Sequence, residues 1–350
     1  MRELPTASSA SVFRQRPGQQ AGVASRKEIR MPLMPTVRSF IATLLSRDFF
    51  SKRIFTRDFW NLSRGATSRR GRDPVPEPET LRTIGPFLSM GPKATVVEAQ
   101  AHGRRYILKQ WNDLPPNGRR DLLRLIRLRA DLTGHGYLTV VNCGEKQLDR
   151  QSGYIFCVQE YRSRSLRSYL AESPGMIDLA SASAMVAEIA RRLQTAHSGG
   201  IVHGNLSPEA VYVETPSGPD PGNIYVDFVR FTGSELTQNP AFTIAEMFPT
   251  GRSYLSPESL LGNPPDELSD LYTLGILAYE IFTKKLPFGE ESASRMQTVR
   301  GMLSAQVRPL TIYRQDIPPR WQSAILRLLT RDRKQRFLSA TDFLLSVSTS

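Results

Sequence analysis

Residues 68–79, SRRGRDPVPEPE, divide this 350-residue chain into two parts that cannot fold alike. Pro74, Pro76 and Pro78 each fix φ and lack an N–H, so no helix or central strand runs through them. The stretch reads as a linker. Charge changes at the same place. Residues 1–74 hold 15 of the 46 Lys and Arg and 5 of the 33 Asp and Glu, about +10 of the net +13. The remainder carries 31 basic against 28 acidic residues and is nearly neutral. The basic signal therefore belongs to an N-terminal extension, 1–79. The chain as a whole is 40% hydrophobic and 23% charged, an ordinary globular balance. Its length suits two domains or one large two-lobed one.

Residues 1–30 are rich in Ser, Gln, Arg and Gly, show almost no periodicity and read as disordered. Residues 35–60 differ. Val37, Phe40, Ile41, Leu44 and Leu45 recur at helical spacing. SRDFF (46–50) and TRDFW (56–60) follow ten residues apart, which is not a whole number of helical turns. The two aromatic pairs thus do not share one face of a helix. Two short helices, or one segment lying on a surface, satisfy the pattern. Phe49, Phe50, Phe59 and Trp60 with Arg47, Arg53 and Arg57 form a basic aromatic segment suited to a protein partner's groove or an anionic membrane surface. Packing of these aromatics on the body is the alternative. An Arg- and Ser-rich, acid-poor start also fits a mitochondrial transit peptide.

Cys143 and Cys157 have no metal-ligand spacing and read as two buried reduced thiols. That suits a cytoplasmic protein, peripheral at a membrane if 35–60 docks there. The N-terminus has no apolar h-region, and no apolar run approaches the ~18 residues of a membrane span. Basic charge alone does not make a nucleic-acid-binding protein, and no nucleic-acid motif accompanies it.

In the body, LSMGPKATVVEA (88–99) reads as a β-hairpin turn and RRYILKQW (104–111) as an apolar-rich strand carrying Lys109. Residues 119–132 form a helix with Leu122, Leu125, Ile126 and Leu132 apolar. YLTVVNCGE (137–145) and YIFCVQEY (154–161) are two further strands. A helical part begins at SLRSYL (165–170), and a long helix covers 177–198.

The next stretch, IVHGNLSPEAVYV (201–213), places His203, Leu206, Pro208 and Glu209 where the protein-kinase catalytic loop H-R-D-L-K-P-E-N has them. The chain resembles that family on both sides of the loop. Asp227-Phe228 stands at the D-F-G start. Tyr254, Ser256, Pro257 and Glu258 match the stretch ending A/S-P-E. SDLYTLGILAYEIFTKKLPF (269–288) carries Asp270, Gly275 and Glu280 in the family's pattern, and LTRDRKQRF (329–337) places Arg336 to pair with Glu258. The resemblance implies an α+β, two-lobed protein-kinase-like fold. A small β-rich N-lobe would cover 80–161 and a larger helical C-lobe 162–349. His203, Phe228, Glu258, Asp270 and Arg336 would have structural work.

The resemblance also implies nucleotide-binding positions at Gly91, Lys109, Glu160, Tyr161 and Asp227, with Asp227 as a magnesium ligand. Gln159 would be the gatekeeper, and Ile107 replaces the small residue over the adenine. The positions that do chemistry depart from the pattern. Asn205 stands for the Asp that takes the substrate proton, Ser207 for the phosphate-steadying Lys and Ala210 for the second metal ligand. An amide oxygen is too weak a base and a methyl group binds no metal. Two glycines of the phosphate loop are Ser89 and Ala94, and Pro92 lacks an N–H. No Glu occurs between Trp111 and Gly144, so Lys109 is expected to lack its helix partner. Val229 replaces a Gly and should stiffen the segment after Asp227. Gly204 replaces the Arg that clamps a phosphorylated loop. The leading expectation is a catalytically inactive pseudokinase, a scaffold or regulatory module that needs no cofactor and binds ATP–Mg weakly at most. The alternative is an atypical ATP-dependent Ser/Thr kinase of low activity using Lys109 and Asp227.

Overall fold

The computed structural model describes residues 81–90, 94–112, 114–132, 136–147, 153–214, 223–230, 252–261, 263–288, 300–302 and 306–348. Every described residue belongs to one compact unit of the chain. The docking residues Arg47, Phe49, Phe50, Arg53, Arg57, Phe59 and Trp60 lie outside the described residues, as do Gly91 and Pro92.

Five antiparallel strands form one layer: β1 (Arg82–Met90), β2 (Ala94–Ala101), β3 (Arg104–Trp111), β4 (Val140–Gln147) and β5 (Gly153–Glu160), in the order β1-β2-β3-β5-β4. Strand β2 alternates, burying Thr95, Val97, Ala99 and Ala101, as a strand with one covered face should. Strand β3 is central, and from Tyr106 to Trp111 both its faces are buried. Helix α1 (Pro116–Ala130) starts three residues before the expected 119. A proline in the first turn has no N–H to lose, so Pro116 opens the helix instead of blocking it. Leu122 and Ile126 of α1 pack in one apolar cluster with Trp111, Leu114, Cys143, Ile155, Cys157 and Val229. Cys143 and Cys157 face each other across β4 and β5, free and buried, and burial pushes both thiols up.

The second part is helical. Ser165 caps α2 (Leu166–Glu172), and Asp178 caps α3 (Leu179–Ser198) by accepting from Ser181 N at 2.8 Å. A hairpin of β6 (Val211–Glu214) and β7 (Asn223–Val226) follows. After α4 (Pro257–Leu260) comes α5 (Glu267–Thr283), buried from Ser269 to Thr283. A helix apolar all round must sit inside, and α3 and α6 (Pro319–Leu328) pack on it, with α7 (Ala340–Ser348) against both. At Gly275 a Cβ would stand 2.8 Å from Leu328 Cβ, so glycine is what lets the end of α6 approach α5. No helix among the described residues is long and apolar enough to cross a membrane.

Arg336 is wholly buried, and its fork meets the Glu258 carboxylate in two bonds, Nη1–Oε1 at 2.7 Å and Nη2–Oε2 at 3.0 Å. Its other donors reach the carbonyls of Thr330 (2.7 Å), Leu268 (3.1 Å) and Arg331 (3.2 Å). The α4 segment is thus tied to the chain just ahead of α7, and the guanidinium lies over the Tyr272 ring.

Candidate functional site

The loop between α3 and β6 is held by Asp270 of α5. One carboxylate oxygen accepts from Gly204 N at 2.8 Å; the other takes His203 N at 2.8 Å and lies 2.9 Å from His197 Nε2. Gly204 has φ +75°, a left-handed conformation that glycine adopts without strain. His203 is buried, and burial, with Arg129 and Arg230 nearby, outweighs Asp270 and lowers its pKa to about 4. The ring is therefore neutral, and its Nδ1 accepts from Asn205 N at 3.2 Å. Phe228 packs against His203, ring centroids 4.7 Å apart, and edge-on to Tyr137. His203, Phe228 and Asp270 so form one column that fixes the loop.

The charged centre lies beside this column. Lys109 Nζ is 2.5 Å from Asp227 Oδ2 and donates to the Val229 carbonyl at 2.7 Å. Asp227 Oδ1 accepts from Gln159 Nε2 at 3.1 Å and from Val229 N at 3.0 Å. Both charges are almost fully buried, with side-chain exposures of 5% and 2%. Burial pulls the Lys109 amine down and by itself would push Asp227 up. Burial is opposed there by the Lys109 charge together with Arg230 and the hydrogen bonds from Lys109 and Gln159, and the Asp227 carboxyl stays below its usual range. Lys109 thus takes no partner from the helix, as expected, but it is not without one. Helix α1 offers Leu122 and Ile126 to this region, and Asp121 is exposed, so the partner comes from residue 227 instead. The Val229 side chain packs in the apolar cluster under α1 while its carbonyl accepts from Lys109.

The degenerate positions stand next to this pair. Ala210 is fully buried and its carbonyl accepts from Asp227 N at 2.8 Å. Ser207 is buried, and its carbonyl accepts from Ala210 N at 2.9 Å. Glu160 donates its N–H to Thr139 O at 3.0 Å, and its carboxylate accepts from Arg162 at 3.1 Å. Tyr161 carries Arg105 over its ring. Ile107 and Gln159 pair across β3 and β5.

Three arginines escaped the sequence reading. Arg129, near the end of α1, is buried and donates to the carbonyls of Phe228 (2.9 Å) and Val202 (2.8 Å), joining the N-lobe helix to the loop. Arg167 of α2 reaches Glu209 (2.9 Å), Glu280 (2.8 Å) and the Tyr254 hydroxyl (2.8 Å). Arg230 Nη1 donates to the Glu209 carbonyl at 3.1 Å. Nothing in the local pattern marks these three for internal bonds, because their partners are distant in sequence.

The sequence family described as protein kinase domain matches residues 94–346. Serine/threonine-protein kinase pkn3 of Myxococcus xanthus is 33% identical over 165 residues, covering 45% of this chain and 29% of the relative. PknA of Mycobacterium tuberculosis is 26% identical over 217 residues, 62% of this chain and 48% of the relative. The chain thus spans less than half the length of these relatives. Among solved structures, the kinase domain of Mycobacterium tuberculosis PknI aligns with TM-score 0.53 and 20% identity, over 76% of this chain and 94% of that one. Rad53 1-466 in complex with AMP-PNP aligns with TM-score 0.58 and 20% identity, over 76% and 64%. The two-lobed fold is that of these structures. The expectation of a catalytically inactive scaffold is corrected by the relatives, which are named as serine/threonine kinases. In the structure Lys109 and Asp227 are joined in the site.

Proposed function

The chain belongs to the protein kinase domain family, and we propose that it is an atypical ATP-dependent serine/threonine kinase of low activity, working through Lys109 and Asp227. One observation supports this above the rest: a buried lysine and a buried carboxylate are held together at the junction of sheet and helical lobe. Charges so placed cost several kcal/mol of desolvation, and apolar residues would pack there as well. Phosphoryl transfer gives a reason for charges at this place, since it depends on positioning and electrostatics.

The residues fit a nucleotide phosphate and one divalent ion. Lys109 is a point charge for phosphate, and the Asp227 carboxylate is a hard oxygen donor of the kind magnesium takes. Ala210 offers no donor for a second ion. Both Asp227 oxygens already accept protein hydrogen bonds, so an ion there competes with Lys109 and Gln159. That competition makes for weak binding. Asn205 cannot take the substrate hydroxyl's proton, so turnover is slow. It is not abolished, because a loose transition state asks little of a base.

The test is transfer of radiolabelled γ-phosphate to the protein itself and to general Ser/Thr substrates. Incorporation should be weak and should be lost in Lys109→Met and in Asp227→Asn, with melting curves showing both variants folded. No incorporation by the wild type above the Asp227→Asn level, or equal incorporation by all three, would overturn the reading.

A further inference from the structure

Ser207 and Ala210 leave this site short of positive charge. A serine hydroxyl carries none, and a methyl group recruits none through a metal ion. Arg230 lies against that gap. It follows Asp227 by three residues, and its Nη1 bonds the carbonyl of Glu209, which sits between the two emptied positions. Its neighbours in the segment are otherwise occupied: Phe228 is in the aromatic column and Val229 in the apolar cluster.

Arg230 is only part-buried, and a guanidinium has five N–H donors, of which one is used at Glu209. No carboxylate among the described residues pairs with it. The Glu209 side chain is turned to Arg167 at 2.9 Å, and Asp227 is taken by Lys109, Gln159 and Val229 N. Its charge is nonetheless felt at the centre, since it helps to hold the Asp227 carboxyl low and opposes the charge on Lys109. An arginine with donors that no described residue takes, beside a buried Lys–Asp pair, suits a dianionic oxygen group. A planar fork binds phosphate through two parallel bonds, which a lysine at position 207 could not do.

We propose that Arg230 is the phosphate-binding cation of this site, contacting the terminal phosphates of the nucleotide in place of a lysine at 207 and of a second metal ion at 210. The proposal rests on the kinase reading above. It makes nucleotide binding depend on the arginine and less on divalent cation than a site with two metal ligands would.

The experiment uses the full chain and a fluorescent ATP analogue, titrated with magnesium and with EDTA, and adenosine as the phosphate-free probe. Arg230→Gln keeps a donor for the Glu209 carbonyl and so preserves the loop. Arg327→Ala, an exposed position in the C-lobe, controls for net charge. Loss of a charge-assisted phosphate contact should weaken ATP about ten-fold or more in EDTA, with adenosine unchanged, and Arg230→Lys should lie between. ATP affinity equal in wild type and Arg230→Gln would overturn the inference while leaving the kinase reading standing. So would an adenosine affinity that falls as far as that for ATP. A wild type that binds neither ligand under any condition would overturn both.

Discussion

Arg336→Ala is the perturbation whose size the structure fixes best. The variant removes a wholly buried fork and strands the Glu258 carboxylate, whose side chain is 6% exposed. Among the described side chains Ser269 Oγ, at 3.1 Å, still donates to it, with Arg333 3.8 Å away. Three backbone carbonyls, of Thr330, Leu268 and Arg331, lose their donor as well. Breaking one side of a buried pair costs about 3–5 kcal/mol. For a domain of this size that lowers Tm by about 6–20 °C. Removing both charges should cost less, so Arg336→Met with Glu258→Gln should melt above Arg336→Ala alone. The sign with pH follows from Glu258, where burial opposes ionisation but the bonds and charge of Arg336, with bonds from Ser269 and the backbone, together hold its pKa down. A depressed carboxylate stabilises above its unfolded pKa and loses that contribution as pH falls through the folded value. The gap between wild type and variant should therefore be full near pH 7 and close below about pH 4. Thermal unfolding followed by circular dichroism across that range is the assay. An unchanged Tm at pH 7, or a double variant no better than the single one, would refute the reasoning.

Two further outcomes follow from the loop. His203 is neutral in the fold with a pKa of about 4, against about 6.5 unfolded, so it contributes stability above pH 6.5 that is lost as pH falls toward 4. The loss amounts to about 3 kcal/mol, and a His203→Gln variant should show a flatter urea midpoint over that window. Arg129→Met should strip the donor from the Phe228 and Val202 carbonyls and cost about 2–4 kcal/mol. Hydrogen exchange should then rise in α1 and in residues 201–206 together; a rise in only one of them would mean Arg129 does not join the lobes.

What could be read from the sequence was whatever rests on local pattern. The helical spacing of Leu122, Leu125 and Ile126 marked α1, and the apolar-rich runs 104–111 and 154–161 marked β3 and β5. The Glu258–Arg336 pair came with the resemblance. The site was legible in its members but not in its wiring. Lys109 and Asp227 were both singled out, yet the lysine's partner was sought on the nearby helix. The bond that forms spans 118 residues. It forms because α1 presents Leu122 and Ile126 where an acid would compete, leaving Asp227 as the charge within reach. The arginines were missed for a related reason. On a sequence so rich in arginine, Arg129 and Arg230 look like solvated surface charge. Only the fold brings carbonyls of residues 202, 209 and 228 to them. Loss of the usual residues at 205, 207 and 210 does not by itself empty the site, because charge can return from a position that no pattern marks. Whether it has done so is decided by where Arg230 spends its remaining donors, and the comparison of ATP with adenosine reads that directly.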